Sequence, residues 1–134
     1  PMYAERRRLL ALLSERYKVS VESNVYFQDM ADVYASARVA FNRSACGHLN
    51  MRVFEAMCSG TPLVTDGVPG LQDAFGLDTW LPYYHSDNEL LDLMAELLSD
   101  PTWAREIGAR ARTDVLAHHT YLHRVQTILQ AVGL

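Results

Sequence analysis

The fold of this chain is decided by Asn50–Gly70, which reads NMRVFEAMCSGTPLVTDGVPG. This stretch predicts a short helix that ends at a glycine, followed by a buried strand and a glycine-containing loop. Asn50 is a favourable N-cap residue, and Gly60 is a favourable left-handed stop. Nearly every residue between them is apolar, which is typical of a buried helix.

Two charged residues interrupt that apolar helix. Arg52 and Glu55 are three positions apart, so they lie on neighbouring parts of one helix face. Charges on a buried helix cost free energy unless another group meets them. Two explanations therefore stay open: the side chains pair with each other, or they contact a polar ligand at the edge of a sheet.

The sequence before this stretch alternates helical and strand-like patterns. An amphipathic helix is predicted over residues 2–17, and a short strand over Lys18–Glu22, where apolar residues alternate. Asp29 is predicted to cap a helix over 30–37, and Val39–Arg43 reads as the next strand.

The sequence after it continues the alternation and then becomes helical. Leu63–Thr65 and Thr79–Tyr84 are strand-like, with one helical turn at Leu71–Phe75 between them. The last third predicts three helices, with N-caps at Ser86, Asp100 and Thr120.

The order of these elements predicts the fold class. Alternating strands and helices are typical of α/β proteins, here a Rossmann-like, three-layer parallel sheet with helices on both faces and a helical C-terminal tail. A doubly wound unit opens on a strand, whereas this sequence opens on a helix. We therefore expect the first strand of the sheet to be truncated. Residues 1–134 are expected to form a single domain.

Composition excludes several classes of function. The net charge is −4, unlike the basic surface of a nucleic-acid-binding domain, and no apolar run approaches the roughly 18 residues of a membrane span. We expect no nucleic-acid partner, no membrane span, and a cytoplasmic protein in which Cys46 and Cys58 are reduced thiols. His119 and His123 lie four residues apart without an evident third ligand, so no metal is predicted.

The residues around the central helix suggest a nucleotide site. In open parallel sheets the ligand lies outside the carboxyl ends of the strands, where the helix beginning at Asn50 offers unpaired N–H groups to a diphosphate. The loop with Gly47 and His48 would give a flexible approach, and Glu55 could accept two ribose hydroxyls. Thr65 and Gly67 end the next strand at the same edge, next to Asp66. Such spacing is generic to many nucleotide-binding folds.

A more specific resemblance lies in FEAMCSGTPLVTDGVPG, which is similar to the nucleotide-binding core of retaining nucleotide-sugar glycosyltransferases of the GT-B architecture. That core has the form E-A-M-A-x-G-x-P-V-V. The run NMRVFEAM, with residues 86–124, further resembles the spore-maturation-protein-like branch. The resemblance implies the donor-binding lobe of a two-lobed hexosyltransferase whose N-terminal acceptor lobe is absent. It also implies a nucleoside-diphosphate sugar as the donor and no metal or other cofactor.

The resemblance also assigns roles to residues. Of the group's two glutamates, the second falls on Glu55, with the donor ribose as its implied partner, and the first falls on Gly47, which is not an acid. His48 could replace that acid as a polar contact. Asn50 and the backbone N–H groups of Met51 and Arg52 match the positions that hold the diphosphate.

The resemblance also implies basic side chains that clamp the diphosphate, for which Arg6 and Arg7 are candidates; the alternative is that they belong to a solvated helix face. No catalytic residue is predicted. We expect the isolated chain to bind a nucleotide weakly and to catalyse nothing alone. The substitution at Gly47 favours an alternative, a degenerate, non-catalytic nucleotide-sugar-binding module. A further alternative is a flavodoxin-like signalling domain with Asp66 as phosphoacceptor.

Overall fold

The structure, a computed structural model, describes residues 2–76 and 80–134, with nothing stated for the side chain of Met2. Its helices are α1 Met2–Ser14, α2 Phe27–Ser36, α3 Met51–Cys58, α4 Pro69–Phe75, α5 Asp87–Ser99, α6 Pro101–His118 and α7 Tyr121–Ala131. Its strands are β1 Ala40–Asn42, β2 Leu63–Asp66 and β3 Tyr83–Tyr84.

The strands form one parallel sheet in the order β1-β2-β3. Phe41 lies opposite Val64, and Thr65 lies opposite Tyr83. Because all three strands run the same way, their carboxyl ends meet at one edge of the sheet. The predicted α/β class and parallel sheet are confirmed.

Two apolar cores lie on opposite faces of this sheet. Successive residues of a strand point to opposite faces, and in β2 Leu63 enters one core while Val64 enters the other. The first core packs α3 and part of α6 against the sheet, and the second packs α1, α5 and the start of α6. Helices therefore cover both faces, as the sequence predicts.

The central helix, α3, is buried on one face only. Val53, Ala56 and Met57 are buried, whereas Met51 is 55% exposed and Glu55 is half-buried. The prediction of a helix buried all round is therefore wrong, because the face with the charged residues lies along an open cleft. Its boundaries agree with the sequence: Asn50 is at the N-cap and Gly60 has a φ of +79°.

The C-terminal end of α3 is held by a close approach of α6. A Cβ atom at Gly108 would lie 2.1 Å from the carbonyl oxygen of Gly60 and 3.2 Å from the backbone nitrogen of Pro62. Only a residue without a side chain lets the helix lie this close to the loop between α3 and β2.

Some predicted elements are wrong. Lys18–Glu22 forms no strand: it has no ladder partner among the described residues, and Val21 is 60% exposed. Alternating apolar residues can predict the conformation of a strand but not the presence of a neighbour. The second helix begins at Phe27, so Asp29 lies in its first turn instead of capping it. Thr79 lies outside the described residues, and β3 covers only the end of the predicted strand.

The C-terminal helices begin where their caps predict. The Ser86 hydroxyl accepts a hydrogen bond from the Glu89 N–H (3.2 Å), and the Asp100 carboxylate accepts two, from Thr102 and Trp103.

The last helix, α7, buries none of its residues. Its exposed apolar side chains include Leu122, Val125, Ile128 and Leu129. Within the described residues, no helix combines the length and apolar character that crossing a membrane requires.

Candidate functional site

A cleft of about 400 Å³ opens at the carboxyl end of β1. Its walls come from α1, from the segment that follows β1, and from the first turns of α3. The lining residues are Tyr3, Arg6, Arg43, Ser44, Ala45, Asn50, Met51, Arg52 and Glu55. This is the position at which open parallel sheets bind their ligands.

The N-terminal tip of α3 presents free backbone donors to the cleft. Val53 N–H donates to the Asn50 carbonyl oxygen at 3.3 Å, and the Asn50 side chain does not cap the helix. Among the described residues, the N–H groups of Met51 and Arg52 find no acceptor. Free N–H groups at the positive end of a helix dipole favour an anion.

Two buried oxygen atoms beside this tip also lack a partner. The Ser44 hydroxyl oxygen and the Asn50 side-chain carbonyl oxygen are both inaccessible to solvent and make no hydrogen bond within the described residues. Ser44 as a whole is only 6% exposed, yet it lines the cleft. A buried polar atom without a partner costs roughly 1–3 kcal/mol, a cost that a ligand in the cleft would offset.

A chain of buried side chains orients Asn50. Its Nδ2 atom is 3.4 Å from the Oδ1 atom of Asn42, whose Nδ2 atom donates to the Thr65 hydroxyl at 2.9 Å. Thr65 is completely buried, so it supports the cleft from behind without reaching it.

The cleft carries more positive than negative side chains. Arg6, Arg43 and Arg52 line it with one carboxylate, Glu55. No ion pair joins Arg52 to Glu55 in the described part of the chain, so the explanation by mutual pairing is not supported. Partial burial lowers the pKa of Arg6, and the neighbouring Arg52 charge lowers it further.

Glu55 is half-buried beside the opening and influences one further side chain. Burial raises the pKa of the Tyr34 phenol, and the negative charge of Glu55 raises it further. Glu55 itself makes no hydrogen bond or ion pair within residues 2–76 and 80–134 that would occupy its oxygens. Its carboxylate is therefore available to accept hydroxyl donors.

Arg43 and Asp66 form an ion pair at this edge of the sheet. Arg43 Nη1 donates to the Asp66 carboxylate, and the Ser44 N–H donates to the same carboxylate at 2.7 Å. Arg43 separates the cleft from a second, polar cavity of about 140 Å³ that Gly67 and His85 help to line. Sequence reasoning missed Arg43 and Ser44, although both directly follow β1.

Five of the residues predicted for the site meet in the cleft: Arg6, Asn50, Met51, Arg52 and Glu55. The others do not line it. Thr65 is buried behind the cleft, Gly67 lines the second cavity, and Arg7 is exposed.

Gly47 and His48 lie in an exposed turn outside the cleft. Cys46 and Gly47 have φ values of +56° and +71°, and the His48 N–H donates to the Ala45 carbonyl oxygen at 3.2 Å. The expected flexible approach is therefore a tight, hydrogen-bonded turn. A Cβ atom at Gly47 would meet no atom within 4 Å, so the space above the turn is open.

Comparison with known proteins adds one finding. A family model described as glycosyl transferase-like matches residues 3–130, which is nearly the whole chain. No curated protein matches it. Among the described residues, no group of three histidine, cysteine, aspartate or glutamate side chains could hold a metal ion.

Proposed function

This chain belongs to the glycosyl transferase-like family, and from that premise we propose that it forms the donor-binding lobe of a glycosyltransferase. The proposed donor is a nucleoside-diphosphate sugar, bound in the cleft at the carboxyl end of β1. One observation carries the proposal: guanidinium groups, helix N–H groups and a buried hydroxyl that have no partner in the described part of the chain converge on one cleft.

The charges of the cleft fit a diphosphate. Arg6 and Arg52 have no acidic partner among the described residues, and the positive charge of Arg52 disfavours the positive charge of Arg6. A ligand with two or more negative charges would remove that repulsion. It would also accept hydrogen bonds from the Met51 and Arg52 N–H groups at the tip of α3.

Glu55 fits the ribose of the same ligand. It lies about one turn further along α3 than these N–H groups, and it lines the cleft. A carboxylate can accept hydrogen bonds from two neighbouring hydroxyl groups. A nucleoside diphosphate would therefore lie along the exposed face of α3, with its phosphates toward the N-terminus.

This arrangement supports sugar transfer through stabilisation of the leaving group. When the bond between the sugar and the diphosphate breaks, negative charge accumulates on the diphosphate. Prepositioned N–H groups and guanidinium groups stabilise that charge more strongly in the transition state than in the ground state. We propose transfer with retention of configuration, on the resemblance to GT-B enzymes of the spore-maturation-like branch.

An acceptor-binding lobe would complete the enzyme. The exposed apolar side chains of α7, such as Leu122 and Val125, support a second lobe that covers them. The alternative is a module that holds a nucleotide sugar without transferring it, which Gly47 favours because a glycine supplies no acid to the sugar. Donor hydrolysis or transfer by the two-lobed protein would decide for the enzyme, and tight binding without turnover for the module.

Titration calorimetry with uridine, guanosine and adenosine diphosphates tests the proposed site. Glu55→Gln should weaken binding of the preferred nucleotide roughly 10- to 100-fold, because hydrogen bonds to a charged group contribute about 1.5–3 kcal/mol. It should leave inorganic pyrophosphate unaffected, since Glu55 is assigned to the ribose. Glu106→Gln, the same change at an exposed position of α6, is the control. Equal nucleotide affinities for all three proteins would contradict the assignment.

A further inference from the structure

Asp66 is a buried carboxylate that organises the edge of the cleft. It ends β2, is 2% exposed, and uses both oxygens: one accepts from Arg43 Nη1, and the other from the Ser44 N–H at 2.7 Å. The Thr65 hydroxyl lies 3.4 Å from the second oxygen. Burying a charge costs free energy, and an ion pair often fails to repay it. A contribution to stability alone therefore does not explain why a buried carboxylate stands at position 66.

Arg43 has donors left over after this pairing. A guanidinium carries five N–H donors in a planar fork, and only Nη1 has a partner among the described residues. The side chain is 34% exposed and lines both the cleft and the smaller cavity. Arg43 can therefore remain bound to Asp66 and donate to an anion in the cleft at the same time.

Ser44 is oriented by the same carboxylate. Its N–H donates to Asp66, while its hydroxyl is buried beside the tip of α3 and has no partner among residues 2–76 and 80–134. Two consecutive residues thus present one guanidinium and one hydroxyl to the space in which Met51 and Arg52 present free N–H groups.

We propose that Arg43 and Ser44 bind a phosphate group in the cleft and that Asp66 is the positioning residue that holds them. This inference rests on the proposed function and adds residues that neither the sequence motif nor the family match assigns. Pairing with Asp66 also lets a third arginine enter a cleft that already holds Arg6 and Arg52, because the carboxylate compensates its charge.

The same geometry argues against Asp66 as a phosphoacceptor. A carboxylate that accepts a phosphoryl group needs a free oxygen open to the phosphate donor. Both oxygens of Asp66 are occupied by Arg43 and Ser44, and the residue is almost fully buried.

Inorganic pyrophosphate is the probe, because it tests the phosphate contacts without a base or ribose. Titration calorimetry should show roughly tenfold weaker binding for Arg43→Gln and for Asp66→Asn, and a smaller loss for Ser44→Ala. Arg43→Lys should recover part of the loss, since it restores the charge without the planar fork. Arg105→Gln, an exposed arginine of α6, is the control for net charge.

A double-mutant cycle separates positioning from general damage to the fold. If Asp66 acts through Arg43 and Ser44, the losses in R43Q/D66N should be less than additive, and R43Q/D66N should bind pyrophosphate no more weakly than R43Q/S44A. Additive losses would overturn the positioning role. If D66N does not fold, R43Q and S44A decide the inference, since both side chains have exposed or unpaired polar atoms.

The two proposals fail differently. Unchanged pyrophosphate affinity in R43Q and S44A would overturn this inference and leave the donor cleft intact. Failure of the unaltered protein to bind either pyrophosphate or any nucleoside diphosphate would overturn both.

Discussion

Gly108→Ala is the substitution whose outcome the structure determines most directly. Gly108 lies in the interior of α6, where alanine is normally the better residue. Here a Cβ atom would lie 2.1 Å from the carbonyl oxygen of Gly60 and 3.2 Å from the nitrogen of Pro62. Both are backbone atoms, so they cannot move aside by rotating a side chain.

The expected magnitude is a difference between two effects. Alanine gains about 1 kcal/mol over glycine in a helix interior. Forcing a methyl group into a well-packed contact costs about 1–3 kcal/mol, and the rigid neighbours of Gly108 favour the upper end of that range. We expect a net loss of about 2 kcal/mol in the free energy of unfolding, which corresponds to a melting temperature lower by roughly 5–10 °C.

Urea denaturation and thermal melting measure this loss. Ala109→Gly is the matched control, because it makes the reverse change one residue further along α6 at an exposed position. It should cost about 1 kcal/mol through helix propensity alone. If Gly108→Ala instead stabilises the protein by about that amount, the close approach of α6 to the loop between α3 and β2 is refuted.

Three further predictions concern caps and charges. Asp100→Ala should cost roughly 1 kcal/mol in urea denaturation, because its carboxylate accepts two N–H groups at the start of α6; an unchanged midpoint would contradict this. Burial lowers the pKa of His119 from its ordinary value of 6.5. The contribution of the neutral imidazole to the stability of the fold is therefore complete above about pH 6.5 and is lost as the pH falls through the lowered pKa. His119→Phe, beside Phe54, should flatten that acid-side decline in melting temperature, and an unchanged pH profile would count against it. The hydrogen bond from Arg8 lowers the pKa of Asp87. The stabilisation of the fold by this ion pair is therefore present above the usual aspartate pKa and is lost as the pH falls through the lowered value. Arg8→Gln should reduce this stabilisation, and the reduction should be smaller at high salt.

The parts of the fold that the sequence predicted are those with local causes. Ser86 and Asp100 stand at the starts of α5 and α6 because a short polar side chain can accept N–H groups only two or three residues ahead. Gly60 ends α3 because a positive φ suits glycine. The alternation of strands and helices was sufficient for a parallel sheet with two covered faces.

The predictions that failed needed information about distant residues. Lys18–Glu22 has the pattern of a strand, but a strand requires a neighbour, which the pattern does not contain. The apolar composition of α3 suggested burial on all sides, yet the neighbours of α3 leave one face open to the cleft.

The candidate site shows the same division between local and distant causes. Arg6 and Arg7 are adjacent in the sequence, but only Arg6 faces the cleft, because consecutive residues of a helix point about 100° apart. The sequence did not predict Arg43 and Ser44 as site residues. Nothing in the residues around them shows that both donate hydrogen bonds to Asp66, which lies 23 and 22 positions later.

The sequence by itself determined the order of β1, β2, β3 and the helices between and after them, the caps at Ser86 and Asp100, and the glutamate and helix start that suggest a nucleotide site. These features depend on residues within a few positions of each other. Only the tertiary structure decided that Arg52 and Glu55 do not pair. It also decided that the Ser44 hydroxyl is buried next to the N–H groups of α3 and that neither finds a partner among the residues that the structure describes. Whether a polar group is satisfied depends on atoms brought together from distant parts of the chain, so it follows from packing and not from local pattern.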